Sequence, residues 1–209
     1  MLVSTLSKMA NKNINIKKGR IILLNGPSSA GKTTLAWELQ TNASGYWYWL
    51  PLDCFLDAVP SQQWDNNEDE GFKTAFGLYH DCVKLISDQG KDIIMDTVIC
   101  GRDSFASFET RLTGYPVIMV KVTCPAEELN RRELERGDRE IGLAAGQANI
   151  MVPQKSYDLI VDTQGQSVTE CADLIMELLA NPKKTPYAFE TLTANPSRWA
   201  NATHQSEML

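Results

Sequence analysis

Near the start of the chain lies the sequence Gly26-Pro27-Ser28-Ser29-Ala30-Gly31-Lys32-Thr33-Thr34. It fits the pattern G-x-x-x-x-G-K-[ST] of the P-loop, whose backbone wraps around nucleotide phosphates. The apolar run 20–25 before it predicts a short buried strand, and residues 35–40 after it predict a helix with one apolar face. A strand before the loop and a helix after it are the context that the motif requires. The stretch therefore predicts a nucleotide-binding loop and not a chance match.

Each conserved residue type of the P-loop pattern has a physical reason in this loop. Gly26 and Gly31 allow the backbone to fold tightly around an anion. Successive N–H groups then point inward, and the start of the next helix adds positive potential. Lys32 supplies a mobile charge for the outer phosphates, and Thr33 offers a hydroxyl to Mg²⁺. We therefore expect ATP and Mg²⁺ as cofactors, with the nucleotide bound by Gly26, Pro27, Ser28, Ser29, Ala30, Gly31, Lys32, Thr33 and Thr34.

The remaining chain alternates between predicted strands and predicted helices. Strands are expected at about 20–25, 46–52, 92–95, 117–122 and 157–161. Strands separated by helices indicate right-handed crossovers and a parallel sheet. The predicted fold is therefore α/β, a P-loop NTPase of the nucleoside-monophosphate-kinase type, with a five-stranded parallel sheet flanked by helices and a short lid.

The predicted domain organisation is simple. Residues 1–180 form a single kinase domain with an N-terminal extension at 1–19, and residues 181–209 form an irregular C-terminal tail. Aromatic and apolar residues of that tail, such as Phe189 and Leu192, could dock it onto the body of the domain. The acidic segment 61–71 is expected to be a solvated loop, with a mobile flap over a substrate as the alternative.

The composition narrows the possible partners. The 209 residues carry a net charge of −6 at pH 7, so no broad basic surface favours nucleic acid. The five cysteines are scattered and never spaced C-x-x-C, which indicates reduced thiols in a cytoplasmic compartment. No apolar run is long enough to cross a bilayer. We therefore expect a cytoplasmic protein with neither a nucleic-acid nor a membrane partner, and composition leaves its oligomeric state open.

Two acids follow predicted strands at the edge where ligands of parallel sheets bind. Asp53 ends the second strand, and Asp96 ends the third. A kinase must orient an acceptor hydroxyl and remove its proton, which a carboxylate in a cleft can do, so Asp53 is the predicted base. Asp96 follows Ile93-Ile94-Met95 and is expected to hold Mg²⁺ with Thr33. The alternative for both acids is capping of the following helix.

Basic residues cluster before the last predicted strand. Arg136-Gly137-Asp138-Arg139 breaks a charged helix, and we expect Arg136 and Arg139 to close over the nucleotide, with Arg136 and Lys32 stabilising the transferring phosphoryl group. For Arg131 and Arg132 we expect only ion pairs with glutamates of their own helix. The two histidines are too few and too far apart for a metal pair, so His80 is expected to be structural.

Taken together, these residues resemble the chloramphenicol phosphotransferase-like family of small P-loop kinases. The resemblance lies in the segments 22–33, 53–60, 93–96, 136–148 and 157–163. It implies ATP-dependent phosphorylation of a hydroxyl on a small molecule, for example an antibiotic, with Asp53 as the base. The chain departs from the family pattern at Asp96-Thr97, where two aspartates are expected, and near 152–153, where a histidine is expected.

The sequence is also compatible with two other functions. One is a kinase for nucleotides, nucleosides or sugar nucleotides, of the adenylate-kinase or zeta-toxin sort. The other is an ATP-binding regulatory module without an acceptor of its own. A GTPase switch is less favoured, because the chain has no Asn-Lys-x-Asp motif for reading a base.

Overall fold

A computed structural model describes residues 17–137, 141–152, 156–182 and 186–195. In this part of the chain five parallel strands form one sheet in the order β2-β3-β1-β4-β5. The strands are β1 (Ile21–Asn25), β2 (Trp47–Pro51), β3 (Asp92–Thr97), β4 (Val117–Thr123) and β5 (Leu159–Asp162). The helices are α1 (Lys32–Asn42), α2 (Asp53–Asp57), α3 (Ser61–Asn66), α4 (Glu68–Asp88), α5 (Gly101–Leu112), α6 (Ala126–Arg136), α7 (Leu143–Ile150), α8 (Val168–Ala180) and α9 (Ala188–Ala194).

The central strand β1 is buried along its whole length, because helices cover both faces of the sheet. Ile22 and Leu24 belong to the apolar cluster that contains α1 and α8. Ile21 and Leu23 belong to the opposite cluster, with α4, α5 and α9. Successive side chains of a strand point to opposite faces, and a strand covered on both faces is therefore apolar throughout. The predicted five-stranded parallel sheet with flanking helices is confirmed.

The strand ends that precede the P-loop and the two candidate acids lie side by side. Asn25 at the end of β1 is paired with Thr97 of β3, and Pro51 at the end of β2 is paired with Asp96. Because all three strands are parallel, the chain leaves each of them at the same edge of the sheet. The P-loop, Asp53 and Asp96 therefore lie along one edge.

The acidic segment 61–71 is helical, so the prediction of a loop is wrong. It contains α3 and the start of α4. Asn67 caps α4, since its side chain accepts a hydrogen bond of 3.2 Å from the Glu70 N–H. The three acidic residues that follow Asn67 occupy the first turn of α4, where negative charge is favoured by the helix dipole. The acidic cluster thus marks a helix start and not a solvated loop.

The C-terminal tail is not irregular where it is described, because it contains α9. Phe189 and Leu192 of α9 are buried, as the docking prediction requires. The Phe189 ring lies 4.6 Å from that of Phe108 and 6.3 Å from that of Phe105, so α9 covers α5 and the sheet. The segment becomes helical because its two apolar residues at i and i+3 share one face that this surface buries.

The composition also led to expectations about the cysteines and about membrane-spanning segments. All five cysteines are free thiols, as predicted. Among the described helices, none combines the length and the apolar character that a bilayer span needs.

Candidate active site

A cavity of about 1310 Å³ opens at the edge where the strands end. The P-loop and α6 line one part of it, and α2, α4 and α5 line another. Pockets for one small ligand usually measure about 300–1,000 Å³. The cavity therefore has room for a nucleotide and a second molecule beside it.

The P-loop has the close backbone packing that its two glycines predict. Gly31 has φ +88°, and Ser29 has φ +59°, so both adopt the left-handed conformation. A Cβ atom at Gly26 would lie 2.3 Å from the backbone oxygen of Val122 in β4. The loop can therefore pass this close to β4 only without a side chain at position 26.

Lys32 is held inside the loop at the start of α1. Its Nζ donates a hydrogen bond of 2.8 Å to the backbone oxygen of Pro27, and the residue is largely buried. The first N–H groups of a helix have no partner within that helix, and those of α1 begin here. The loop therefore combines a cation with the backbone N–H groups of a helix N-terminus, which together favour an anion.

One donor of the loop is already used by a residue far along the chain. The Ser28 N–H donates a hydrogen bond of 2.7 Å to Oε1 of Gln147 in α7. Arg132 approaches from α6, and its Nη1 donates to the Ser29 backbone oxygen at 3.3 Å and to Thr163 Oγ1 at 3.0 Å. Thr163 in turn donates to the Ala30 backbone oxygen at 2.9 Å. These contacts hold the P-loop against α6, α7 and the end of β5.

Arg131 and Arg132 of α6 differ in their contacts. The expectation of ion pairs within the helix is confirmed for Arg131 and is too narrow for Arg132. Among the described residues, Arg131 forms ion pairs with Glu128 and Glu135 of its own helix, as expected. Arg132 also pairs with Glu128, at 2.8 Å, but it reaches the P-loop as well. Arg132 therefore contacts the P-loop in addition to forming the predicted ion pair within its helix.

Asp96 is in contact with the P-loop. Thr33 Oγ1 donates a hydrogen bond of 2.8 Å to Asp96 Oδ2. Burial raises the pKa of the Asp96 carboxyl above its ordinary value, although the Lys32 cation and the Thr33 hydrogen bond act in the opposite direction. Asp96 lies within β3 and not at a helix start, so the capping alternative is wrong for this residue.

Asp53 is exposed and lines the same cavity. It lies in the first turn of α2, where Leu52 and not Asp53 occupies the capping position. The Leu52 N–H donates to the backbone oxygen of Asp96 at 2.9 Å, which joins the start of α2 to β3. The charge of Asp53 contributes to the raised pKa of Asp96, so the two carboxylates lie within electrostatic range of each other.

The predicted lid is described in part. Arg136, in the last turn of α6, lines the cavity. Arg139 and Asp138 lie outside the described residues. Glu133, fully buried one turn before Gly137, accepts hydrogen bonds from the N–H groups of Gly142 and Ala144. The start of α7 is therefore tied to α6 across the lid segment.

Sequence reasoning missed Asn25, which lies directly before the P-loop. Its Nδ2 donates to Tyr157 Oη at 2.8 Å, and its Oδ1 accepts from the Ile99 N–H at 2.8 Å. A polar residue that ends an otherwise apolar strand is a signal that could have found it. Gln147 and Thr163 gave no comparable signal, because their partners lie more than a hundred residues away.

The residues present fit a nucleotide and a magnesium ion. Ser29 Oγ and Thr97 Oγ1 are buried at the cavity with no hydrogen-bond partner among the described residues. Thr33 and Asp96 offer the oxygen ligands that Mg²⁺ prefers. In the described part of the chain, no group of three or more His, Cys, Asp or Glu residues could hold a metal alone.

Comparison with known proteins identifies the family. A sequence model of the family described as "Chloramphenicol phosphotransferase-like protein" matches residues 19–180. The chain belongs to this family. A relative from Mycobacterium tuberculosis, strain H37Rv, is 33% identical over 194 residues, covering 81% of this chain and 85% of the relative. That relative is described as "Putative O-phosphotransferase", and the same match is found in strain CDC 1551.

Solved kinases share the fold at low sequence identity. The APS kinase of Mycobacterium tuberculosis, solved in complex with AMPPNP and APS, is 16% identical with a TM-score of 0.62, over 78% of this chain and 98% of that one. Shikimate kinase from Acinetobacter baumannii, solved in complex with shikimate, is 17% identical with a TM-score of 0.60, over 81% of this chain and 98% of that one. At such identities the likeness shows the P-loop kinase fold alone. With the family assignment, the protein is an ATP-dependent phosphotransferase of the kinase type.

Proposed function

We propose that the protein transfers the γ-phosphoryl group of ATP to a hydroxyl of a small molecule. One observation carries this proposal: a single cavity contains both the P-loop and the exposed carboxylate of Asp53. Its volume leaves space beside the nucleotide for an acceptor, which a regulatory module without an acceptor would not need.

Each predicted residue has a proposed role in this reaction. The residues from Gly26 to Thr34 hold the phosphates, and Thr33 and Asp96 hold Mg²⁺, which neutralises phosphate charge when bound. The Asp53 carboxylate accepts the proton of the acceptor hydroxyl while that oxygen bonds to phosphorus and ADP departs. Lys32 and Arg136 stabilise the charge of the transferring group, and Arg139 is proposed to assist from the lid.

The experiment measures transfer of label from γ-labelled ATP with and without acceptors. The acceptors include chloramphenicol, other hydroxyl-bearing antibiotics, nucleosides, nucleoside monophosphates and sugars, so that the antibiotic and nucleotide alternatives are both tested. Acceptor-free ATP hydrolysis is measured in parallel. If hydrolysis without acceptor exceeds every acceptor-stimulated transfer, the regulatory module becomes the better explanation.

Two substitutions separate chemistry from binding. Asp53→Ala should keep ATP affinity and lower transfer about 10²–10⁴-fold, the usual contribution of a general base. Lys32→Ala should weaken ATP binding as well as turnover. Asp57→Ala is the matched control, because Asp57 is exposed on the same helix and does not line the cavity. Wild-type transfer by Asp53→Ala would remove Asp53 from the role of base.

A further inference from the structure

The cavity has a second cationic region, formed by α4 and α5 and not by the P-loop. Helix α4 contributes Asp69, Phe72, Lys73 and Phe76 to the lining, at the spacing of one helix face. Helix α5 contributes Ser104, Ser107 and Arg111, spaced in the same way. Lys73 and Arg111 are the positive charges of these two faces, and neither belongs to the P-loop or to the lid.

The guanidinium of Arg111 is held in place on two of its three nitrogens. Nε donates to Asp81 Oδ1 at 3.1 Å, and Nη1 donates to Ser107 Oγ at 3.2 Å. Nη2 makes no hydrogen bond to any described group. The side chain is 34% exposed. The contacts of the other two nitrogens therefore fix the direction of Nη2, which has no hydrogen-bond partner in the described ranges. Such a fixed donor loses little conformational entropy on binding a ligand.

Helix α4 has a glycine where the guanidinium passes. A Cβ atom at Gly77 would lie 3.1 Å from Arg111 Nη2, which is closer than ordinary van der Waals contact. Glycine inside a helix costs about 1 kcal/mol relative to alanine. At this position it makes room for Arg111. Lys73 is one turn earlier than Gly77 on α4, so it lies on the face of the helix that Arg111 packs against.

Lys73 itself has no ion pair or hydrogen bond with any described residue. Asp69 precedes it by four residues on the same face but does not pair with it within 4 Å. A cation that lines a cavity and has no partner in the described part of the chain is available to a ligand.

The position of Ser107 is supported from behind by His80. The His80 Nδ1 lies 3.3 Å from Ser107 Oγ, and the imidazole is buried against the rings of Phe76, Tyr79 and Phe108. Burial, assisted by the Arg111 cation, lowers the pKa of His80 to about 3, so the ring is neutral at physiological pH. As expected from the sequence, His80 has a structural position. Here that position fixes the serine that holds Arg111.

We propose that the acceptor is an anionic hydroxyl compound whose carboxylate or phosphate group binds to Lys73 and Arg111. This deepens the proposed function and rests on it, because the acceptor hydroxyl must still reach Asp53. The charges orient the ligand: Asp53 repels the anionic group, and the two cations attract it toward α4 and α5. Phe72 and Phe76 line the same cavity, and their rings would contact the apolar body of the acceptor.

Anion binding is measured by calorimetric titration of inorganic phosphate into protein saturated with AMPPNP and Mg²⁺, so that the P-loop is already filled. Saturable binding is expected, and Arg111→Gln and Lys73→Gln should each weaken it about tenfold or more, the worth of one charge-assisted hydrogen bond. Arg111→Lys should retain part of the affinity. Arg102→Gln is the control, because Arg102 is exposed on α5 and does not line the cavity.

Phosphate that does not bind to the AMPPNP complex, or that binds equally to the wild type and both Gln variants, overturns the inference. Melting temperature and AMPPNP affinity check that the variants are folded. Loss of Arg111 should leave the fold intact, since its partner Asp81 is 60% exposed and does not become a buried unpaired charge.

A second measurement distinguishes this inference from the proposed function. Transfer rates are compared for matched pairs: shikimate with its methyl ester, gluconate with glucose, and 3-phosphoglycerate with glycerol. Preference for the anionic member that falls about tenfold or more in Arg111→Gln supports the inference. Equal or better transfer to the neutral member, unchanged in Arg111→Gln, overturns it while the kinase activity stands. If Asp53→Ala transfers at wild-type rates, the proposed base fails, and the phosphate titration still decides the anion site.

Discussion

Glu133→Gln should destabilise the protein through the lid, because this buried carboxylate joins two helices. Its Oε2 accepts the Gly142 N–H at 2.9 Å, and its Oε1 accepts the Ala144 N–H at 2.7 Å. Gly142 is the capping residue of α7, with φ +92°. The carboxylate therefore satisfies donors at a helix N-terminus, where negative charge is also favoured by the helix dipole.

The expected loss in the free energy of unfolding depends on how many hydrogen bonds of the Glu133 carboxylate a glutamine side chain can still accept. Its amide oxygen can accept from one of the two N–H groups, but its NH₂ group would face the other donor. A hydrogen bond to a charged group contributes about 1.5–3 kcal/mol, and a charge at a helix end about 0.3–1 kcal/mol. We therefore expect the free energy of unfolding to fall by about 2–4 kcal/mol. ATP affinity should fall as well, since Gln147 on α7 contacts the Ser28 N–H of the P-loop.

Urea unfolding followed by circular dichroism measures the free energy of unfolding, and calorimetric titration of AMPPNP measures the nucleotide affinity. Glu127→Gln is the control, because Glu127 is exposed in the first turn of the same helix. A loss in Glu133→Gln of less than about 0.5 kcal/mol, as small as for a typical surface substitution, would refute the argument that the two hydrogen bonds hold the lid segment.

Three further outcomes follow from buried contacts. Because the pKa of His80 is about 3 in the folded protein and 6.5 unfolded, its neutral form contributes stability above pH 6.5 that is lost as pH falls toward 3. Between pH 7 and 4.5 this loss should be about 2–3 kcal/mol, and melting curves of His80→Phe should lack it. Gly26→Ala, whose Cβ would lie 2.3 Å from a β4 carbonyl oxygen, should abolish measurable AMPPNP binding in calorimetry, whereas Gly146→Ala should not. Asn25→Ala should lower the free energy of unfolding measured in urea by about 2–4 kcal/mol. The loss should exceed that of Tyr157→Phe, because the buried Ile99 N–H also loses its acceptor.

Local features were predictable from the sequence for a physical reason. The P-loop and β1 are encoded by neighbouring residues: glycines where the backbone is crowded, and an unbroken apolar run where both faces are buried. The alternation of strands and helices then restricts the topology to a parallel sheet. The sequence also placed Asp53 and Asp96 after two predicted strands that flank the P-loop, and both residues line one cavity.

Other local patterns were ambiguous. The acidic segment 61–71 has a composition shared by solvated loops and by helix N-termini, and only the Asn67 cap distinguishes them. Helix α9 depends on a surface made by Phe105 and Phe108, which lie more than eighty residues earlier in the chain. Such a segment is helical because the body of the domain buries one of its faces.

By itself, the sequence determined the phosphate-binding loop, the α/β class and the family of this protein, because each depends on residues within a few positions of one another. Only the tertiary structure decided that Arg132 reaches the P-loop, that Gln147 occupies the Ser28 N–H, and that Gly77 makes room for Arg111. These contacts join residues 34 to 119 positions apart. No spacing rule relates such residues, since their proximity arises from the packing of whole helices against the sheet.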